Sequence, residues 1–160
     1  MRLRSIHFKA YSLALRRPLR TAHGTILRRD GFWVSARSVA GLWGFGEAAP
    51  LPGFGTESLE ACRVTLERLS RSLVEVEIDA DALLGRGLSA LLDLEPLREA
   101  PAAAHGLELA LLDLLAQERA LPLARLLHPL AATEVPVNAT LGAESASAPR
   151  SARARRNRPG

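Results

Sequence analysis

One stretch of the sequence concentrates residues that shape a binding loop: the twelve residues from Gly44 to Gly55, Gly-Phe-Gly-Glu-Ala-Ala-Pro-Leu-Pro-Gly-Phe-Gly. It holds four glycines and two prolines, which are too many for the interior of a helix or strand, so it predicts a shaped loop. Binding residues concentrate in loops held by rigid elements, and Leu51 and Phe54 could form an apolar lid here. The alternative is a plain connection between a strand and a helix, with both side chains packed against the helices.

A second stretch, residues 16–24, carries ionisable groups suited to binding. Arg20 could pair with a substrate carboxylate, and His23 could contact a substrate. The alternatives are a surface charge for Arg20 and a solvated loop histidine for His23. We expect Thr21 and Gly24 to shape this loop rather than to bind anything.

Sequence motifs for catalysis, nucleotide binding or metal binding are incomplete. Gly44-x-Gly46 has neither the third glycine nor the following helix of a dinucleotide fingerprint, and no Gly-x-Ser-x-Gly elbow occurs. Glu47 is interpreted as structural. His105 and Glu108 lie three residues apart on a predicted helix, but the pair lacks a third ligand. The sequence therefore predicts no catalytic residue and no metal ligand.

The composition bounds the class of protein. The 160 residues are 48% apolar and allow one domain, or one domain plus a fragment. A single cysteine, Cys62, excludes an internal disulfide framework and fits a reducing compartment. No apolar run reaches the roughly 20 residues of a membrane helix, and Lys9, Arg16 and Arg17 interrupt any signal-peptide core. We expect a cytoplasmic protein without a membrane partner.

The positive charge is concentrated at the C-terminus. The pI is about 10.5 and the net charge is +4. Residues 143–160 hold five arginines and one glutamate, so they carry the whole excess, and residues 1–142 are neutral. The globular part therefore offers no electrostatic footprint for nucleic acid. Because residues 143–160 also lack Leu, Ile, Val, Met and aromatic side chains, we expect a disordered tail.

Strands are expected to position the two binding stretches from the N-terminal side. Alternating residues over 2–15 predict a first strand, and a change of phase suggests a bulge near Ala10. Pro18 is expected to end this strand and to begin the loop of residues 16–24. Two further strands, 32–39 and 42–47, would complete a three-stranded antiparallel meander.

Helices are predicted downstream of the meander. Thr56 is a good N-cap, and Glu57 and Glu60 would place negative charge in the first turn of a long helix. One apolar stripe on this helix consists of Leu59, Cys62, Leu66, Leu69 and Leu73. Residues 79–95 predict a short helix interrupted by glycines.

The last predicted helices begin at prolines. Pro101 suits a first helical position, and the helix runs to about Arg119. Its apolar stripe consists of Ala103, Leu107, Ala110, Leu111 and Leu114. Small residues at 102–106 allow another element to approach closely. Pro122 starts one more turn through Leu127, and residues 135–141 then predict a strand.

Three stretches carry a resemblance to a known family. They are Arg17-Pro18-Leu19-Arg20-Thr21-Ala22-His23-Gly24-Thr25, the Gly44–Phe54 segment with its Gly-x-Gly-Glu-Ala-x-Pro pattern, and Ala104–Leu115 continuing into Leu121–Leu127. They resemble the N-terminal capping domain of the enolase superfamily, within its muconate-cycloisomerase-like subgroup and closest to the o-succinylbenzoate synthase branch. The resemblance covers about residues 2–142.

The resemblance implies an α+β fold, in which a three-stranded meander and a helical bundle cap a (β/α) barrel. It assigns residues 1–132 to the capping domain, 133–142 to the first barrel strand and 143–160 to the tail. It also implies a lyase that needs Mg²⁺ and dehydrates a cyclohexadiene carboxylate to o-succinylbenzoate for menaquinone synthesis. The residues that would cap this small carboxylate substrate are Leu19, Arg20, Thr21, His23, Gly24, Leu51, Pro52, Gly53 and Phe54.

The chain departs from the family pattern after the predicted first barrel strand. The family's barrel carries a Lys-x-Lys pair and three carboxylates that hold Mg²⁺, whereas the one lysine here, Lys9, lies in the first predicted strand. We therefore expect the chain to be inactive alone and residues 143–160 to be a frameshifted or truncated end. An open apolar face including Val135 to Leu141 would favour self-association.

Two alternatives stay open. One is a dipeptide epimerase or cycloisomerase relative, whose capping loops differ only in detail. The other is a small α+β interaction module whose arginine-rich tail binds nucleic acid or an acidic partner, in which case binding would weaken with salt.

Overall fold

Three antiparallel strands form the sheet on which the rest of the chain packs. The computed structural model describes residues 1–92 and 94–137. The strands are β1 (Leu3–Thr21), β2 (Gly24–Ser38) and β3 (Trp43–Ala48), with β2 in the centre. Each pair is antiparallel, so the predicted meander is confirmed.

The first hairpin is longer than the sequence pattern predicts, and Pro18 does not end β1. The β1–β2 register shifts between Ala14 and Leu19, and pairing then resumes with Leu19 opposite Ile26. Pro18 lies inside this irregular stretch, where its missing N–H removes no ladder hydrogen bond. The part of the hairpin from residue 11 to residue 30 is called the arm below.

The bulge predicted near Ala10 is wrong. Ala10 pairs with Phe32 in regular register, and the next pair is Tyr11 with Gly31. The apolar pattern changes phase here because the arm extends beyond the core, so its leucines need not face inward. Leu13, for example, is 55% exposed.

The helices follow the sheet in chain order and confirm the predicted helical part. They are α1 (Leu59–Leu73), α2 (Ala80–Arg86), α3 (Leu94–Glu99), α4 (Pro101–Glu118) and α5 (Leu123–Leu127). Short 3₁₀ turns occur at Pro52–Phe54 and Gly87–Ala90. The leucine-rich segment 79–95 therefore contains α2, a 3₁₀ turn and the start of α3.

Helix α1 begins two residues later than predicted. Its N-cap is Ser58, whose hydroxyl accepts a hydrogen bond from the Ala61 N–H at 3.1 Å. Thr56 is not the cap, and Glu57 precedes the helix instead of lying in its first turn. The predicted apolar stripe is buried except at Leu59.

The core depends on the close approach of α4 to β3. A Cβ atom at Gly46 would lie 2.0 Å from the Gly106 carbonyl oxygen, and one at Gly106 would lie 2.7 Å from the Ala48 nitrogen. Gly44 and Gly46 therefore alternate on the inner face of a strand, so the first half of the glycine-rich stretch is not a loop. The small residues predicted to admit a neighbouring element do so, and the neighbour is β3.

The end of the described chain is exposed. Val135 and Val137 belong to no helix or strand and are 73% and 88% exposed. The predicted strand 135–141 lies partly outside the described residues, as does the whole of 143–160, so the domain boundaries and the tail stay predictions. In the described part of the chain, no helix is long and apolar enough to cross a membrane.

Candidate functional site

The tip of the arm is a tight turn shaped by Thr21 and Gly24. Strand β1 ends at Thr21 and β2 begins at Gly24, which leaves Ala22 and His23 as the turn. The Thr21 hydroxyl donates to the Gly24 carbonyl at 2.9 Å and accepts from the His23 N–H at 3.1 Å. Gly24 has φ of +121°, a conformation that L side chains rarely adopt. These two residues therefore fix where His23 is presented.

The capping loop, residues 49–57, folds into its own compact turn. The Phe54 N–H donates to the Leu51 carbonyl at 2.8 Å, and the Gly55 N–H donates to the Pro52 carbonyl at 3.1 Å. The Thr56 hydroxyl accepts from the Leu51 N–H across the base of the turn. As a result, the Phe54 side chain stands out from the loop and is 54% exposed.

The arm and the capping loop meet at their tips. The rings of His23 and Phe54 are 4.9 Å apart between centroids, edge to face at 70°. A Cβ atom at Gly53 would lie 3.5 Å from the His23 Cβ. Of the nine predicted capping residues, the structure therefore brings His23, Gly53 and Phe54 together.

The other predicted capping residues flank this contact. Leu19 and Arg20 are exposed on the arm before the turn, whereas Leu51 is partly buried in the loop and Pro52 is exposed. The binding role of all nine residues stays a prediction. The surface formed by the arm tip and the capping loop is called the lid below.

One anchor of the lid is Arg29, which the sequence analysis missed. Its guanidinium donates to the Pro50 carbonyl at 2.9 Å and to the Ala49 carbonyl at 2.6 Å. This side chain joins β2 to the start of the capping loop. The sequence gives no signal for it, because an arginine on a predicted strand is usually a surface charge.

A second anchor joins β1 to β3 on the outer face of the sheet. The Tyr11 hydroxyl donates to a carboxylate oxygen of Glu47. Burial, followed by this hydrogen bond and the negative charge of Glu47, raises the pKa of Tyr11 to about 12. The contact agrees with the structural role that the sequence predicts for Glu47.

The third anchor is Glu57, which is buried and joins the loop to α4. Its carboxylate accepts from the Ala103 N–H at 2.8 Å and the Ala102 N–H at 3.1 Å. These are among the unpaired amides at the start of a helix whose own N-cap, Ala100, offers no side-chain acceptor. That missing cap is the sequence signal that could have pointed to a distant acid.

A groove lies behind the capping loop, between the loop and α4. Its volume is about 390 Å³, at the small end of ligand pockets. It is lined by Glu47, Ala49, Thr56, Pro101, Ala102, His105 and Leu109. Because the groove adjoins the loop, a ligand held beneath the lid would have apolar surface beside it.

The weak metal pair of the sequence analysis is separated by its hydrogen bonding. Glu108 accepts from the Leu88 N–H at 2.7 Å and so supports the 3₁₀ turn, while His105 is exposed at the groove. Within residues 1–92 and 94–137, no three His, Cys, Asp or Glu side chains are grouped to hold a metal ion. Lys9 lies on β1 opposite Trp33, away from the arm tip. The described site can cover and select a ligand, and its chemistry is that of a lid.

Comparison with known proteins gives a family and several relatives. A sequence profile described as "Mandelate racemase / muconate lactonizing enzyme, N-terminal domain" matches residues 5–128. An L-Lys-D/L-Arg epimerase of Methylococcus capsulatus is 33% identical over 147 residues, which are 89% of this chain and 38% of that protein. An o-succinylbenzoate synthase of Thermosynechococcus vestitus is 41% identical over 54 residues, which are 34% of this chain and 17% of that protein.

A solved structure shares the same architecture. The crystal structure of a dipeptide epimerase from Methylococcus capsulatus, complexed with Mg and the dipeptide L-Arg-D-Lys, gives a TM-score of 0.68 at 36% identity. The match covers 80% of this chain and 35% of that one. This chain therefore spans only about a third of the length of the proteins it is most informatively compared with.

Proposed function

The chain belongs to the mandelate racemase / muconate lactonizing enzyme N-terminal domains, the capping domains of the enolase superfamily, and we propose that it caps an o-succinylbenzoate synthase-like enzyme. In this proposal the lid closes over a small carboxylate substrate, excludes water and selects what fits. The contact between His23 and Phe54 is the observation that carries it, since it joins two separate stretches of chain into one covering surface. The matched segment of the Thermosynechococcus synthase supports this branch.

The proposed reaction is the loss of water from a cyclohexadiene carboxylate, which begins with removal of the proton α to the carboxylate. In the proposed complete enzyme, Mg²⁺ stabilises the negative charge that develops on that carboxylate. The described residues do not fit the metal, because they supply no cluster of ligands. No step of this chain's mechanism therefore involves it, and we propose that the chain is inactive alone and cytoplasmic.

This chain's own contribution is to enclose and orient. Phe54 presents an apolar ring over the ligand, and His23 packs edge-on against that ring and limits its movement. Arg29 and Glu57 hold the two ends of the capping loop, so the loop closes as a preformed unit. A preformed lid loses less conformational entropy on closing than a flexible one.

A dipeptide epimerase is the second candidate function. It is favoured by the Methylococcus capsulatus relative, whose identity of 33% extends over 89% of this chain. An epimerase would also begin by removing a proton α to a carbonyl group, so the two candidates need the same enclosure. They differ in the fate of the intermediate, which in both cases depends on residues beyond the described chain.

Chimeric enzymes test both candidates. Residues 1–137 would replace the matching N-terminal segment of the Thermosynechococcus synthase and, separately, of the Methylococcus epimerase. We expect the first chimera to form o-succinylbenzoate, measured by chromatography. In the second, epimerisation would be measured as incorporation of solvent deuterium at the α-carbon. Folded chimeras that are both inactive would contradict the proposed function.

A matched pair of phenylalanines tests the lid itself. In an active chimera, Phe54→Ala should lower kcat/KM roughly tenfold, because about 1.4 kcal/mol of covering contact is lost from the transition state. Phe45→Ala is the control, since Phe45 is 60% exposed but lies on β3 rather than in the lid. Equal effects of the two substitutions would contradict the role of Phe54.

A further inference from the structure

The charged groups at the base of the arm are arranged in opposed pairs. The Arg28 Nε donates to the Ser12 hydroxyl at 2.9 Å, and that hydroxyl donates to the Asp30 carboxylate. On the other face, Arg29 and Glu47 act with opposite sign on the Tyr11 hydroxyl. Each of these two arginines therefore has a carboxylate in its own network.

The arginines nearer the tip have no such counterpart. Arg16, Arg17 and Arg20 are all exposed, and none forms a salt bridge with any carboxylate in the described part of the chain. Residues 10–29 contain no Asp or Glu, and the capping loop is uncharged from Ala49 to Thr56. The lid consequently carries three unit positive charges that no nearby acid offsets.

These charges have a consequence for the ligand that the lid covers. We propose that Arg16, Arg17 and Arg20 are specificity-determining residues that make the lid select a substrate with an anionic group and reject one with a cationic side chain. The proposal rests on the capping function above. A dicarboxylate fits it, whereas a dipeptide with a lysine or arginine side chain does not.

The size of the effect follows from the number of charges. Three unit charges about 7 Å from the ligand, screened by water and physiological salt, raise the affinity for an anion roughly threefold and lower that for a cation by a similar factor. The ratio between an anionic and a cationic ligand should therefore change roughly tenfold when the three charges are removed. The change should diminish as salt is added.

A titration of the chain itself tests the anion preference without any barrel. Succinate and putrescine serve as probes, with amide chemical shifts read by NMR. Succinate should shift arm amides near residues 16–24, and the triple variant Arg16→Ser/Arg17→Ser/Arg20→Ser should bind it at least threefold more weakly. The control variant Arg68→Ser/Arg71→Ser/Arg86→Ser removes the same charge from α1 and α2 and should bind succinate like the parent chain. Equal binding by parent and triple variant would overturn the proposal.

The epimerase chimera gives the second readout, from the ratio of kcat/KM for L-Ala-L-Glu to that for L-Ala-L-Lys. The triple variant should lower this ratio roughly tenfold relative to the parent chimera, a comparison in which the barrel's own preference cancels. An active chimera with an unchanged ratio would refute the specificity role. Succinate binding at the arm combined with two inactive chimeras would instead refute the capping function, so the two failures are distinguishable.

Discussion

An alanine at Gly46 would place a methyl group where β3 and α4 are already in backbone contact. The added Cβ would lie 2.0 Å from the Gly106 carbonyl oxygen and 2.8 Å from the Ala110 nitrogen. Both neighbours are backbone atoms of one rigid helix, so no side chain can rotate away. The substitution must push the helix off the sheet.

The cost can be worked from this geometry. The nearest contact has to open from 2.0 Å to the 3.4 Å of an ordinary contact, and α4 must move as a unit. That movement loosens buried residues on its inner face, including Ala103, Leu107 and Leu114. Overpacking a core typically costs 1–3 kcal/mol, and we expect Gly46→Ala to destabilise the fold by about 3 kcal/mol.

Urea denaturation followed by tryptophan fluorescence measures this loss, since Trp33 and Trp43 lie on β2 and β3. With an m-value of about 2 kcal/mol/M, the midpoint should fall by roughly 1.5 M. Gly85→Ala is the control, because Gly85 is helical with nothing within 4 Å of an added Cβ. Replacing it should stabilise the fold by about 0.5–1 kcal/mol.

The refuting result is specific. If Gly46→Ala unfolds at the same urea concentration as the parent chain while Gly85→Ala gains stability, the helix cannot lie on the strand as described. A Gly46→Ala chain that is already unfolded without urea agrees with the prediction.

Three further predictions concern the anchors. The one tyrosine, Tyr11, should titrate near pH 12 by absorbance at 295 nm, and Glu47→Gln should lower its pKa; because the unfolded chain releases this proton near pH 10, stability should fall between pH 10 and 12, and titration near 10 in the folded chain would contradict the contact. Burial and the nearby carboxylate of Glu57 raise the pKa of the Cys62 thiol to about 12, so a thiol reagent at pH 8 should modify it only in urea, and rapid modification of the folded chain would disprove its burial. Arg29→Met should cost about 2 kcal/mol in urea unfolding and expose the capping loop to limited proteolysis, whereas an unchanged cleavage rate would argue against the anchor.

The sequence predicts elements well where one face is buried. The stripes on α1 and α4 repeat at three and four residues, and their members from Cys62 to Leu73 and from Ala103 to Leu114 are buried as expected. It fails where tertiary contacts override local chemistry. Pro18 continues a strand because a register shift accommodates it, and the glycines of β3 lie in a strand because a helix presses on them.

The candidate site shows the same division. His23 and Phe54 are predictable as loop residues, because glycine and proline mark their turns. Arg29 and Glu57 are not, since each binds backbone groups on a distant element and pairs with no residue type that a pattern could reveal. Local signals locate the lid, and only the fold shows what holds it.

The positions of the anchors separate stability from selectivity. Arg29 and Glu57 fix the two ends of the capping loop through backbone amides and carbonyls, which every sequence of that loop would supply. The arm tip, by contrast, presents side chains that contact little besides Phe54 among the described residues. Arg16 and Arg20 can therefore be exchanged with little loss of stability, whereas a change at Arg29 or Glu57 alters the lid whatever ligand it covers. Substrate preference can accordingly vary at the tip while the anchors stay the same.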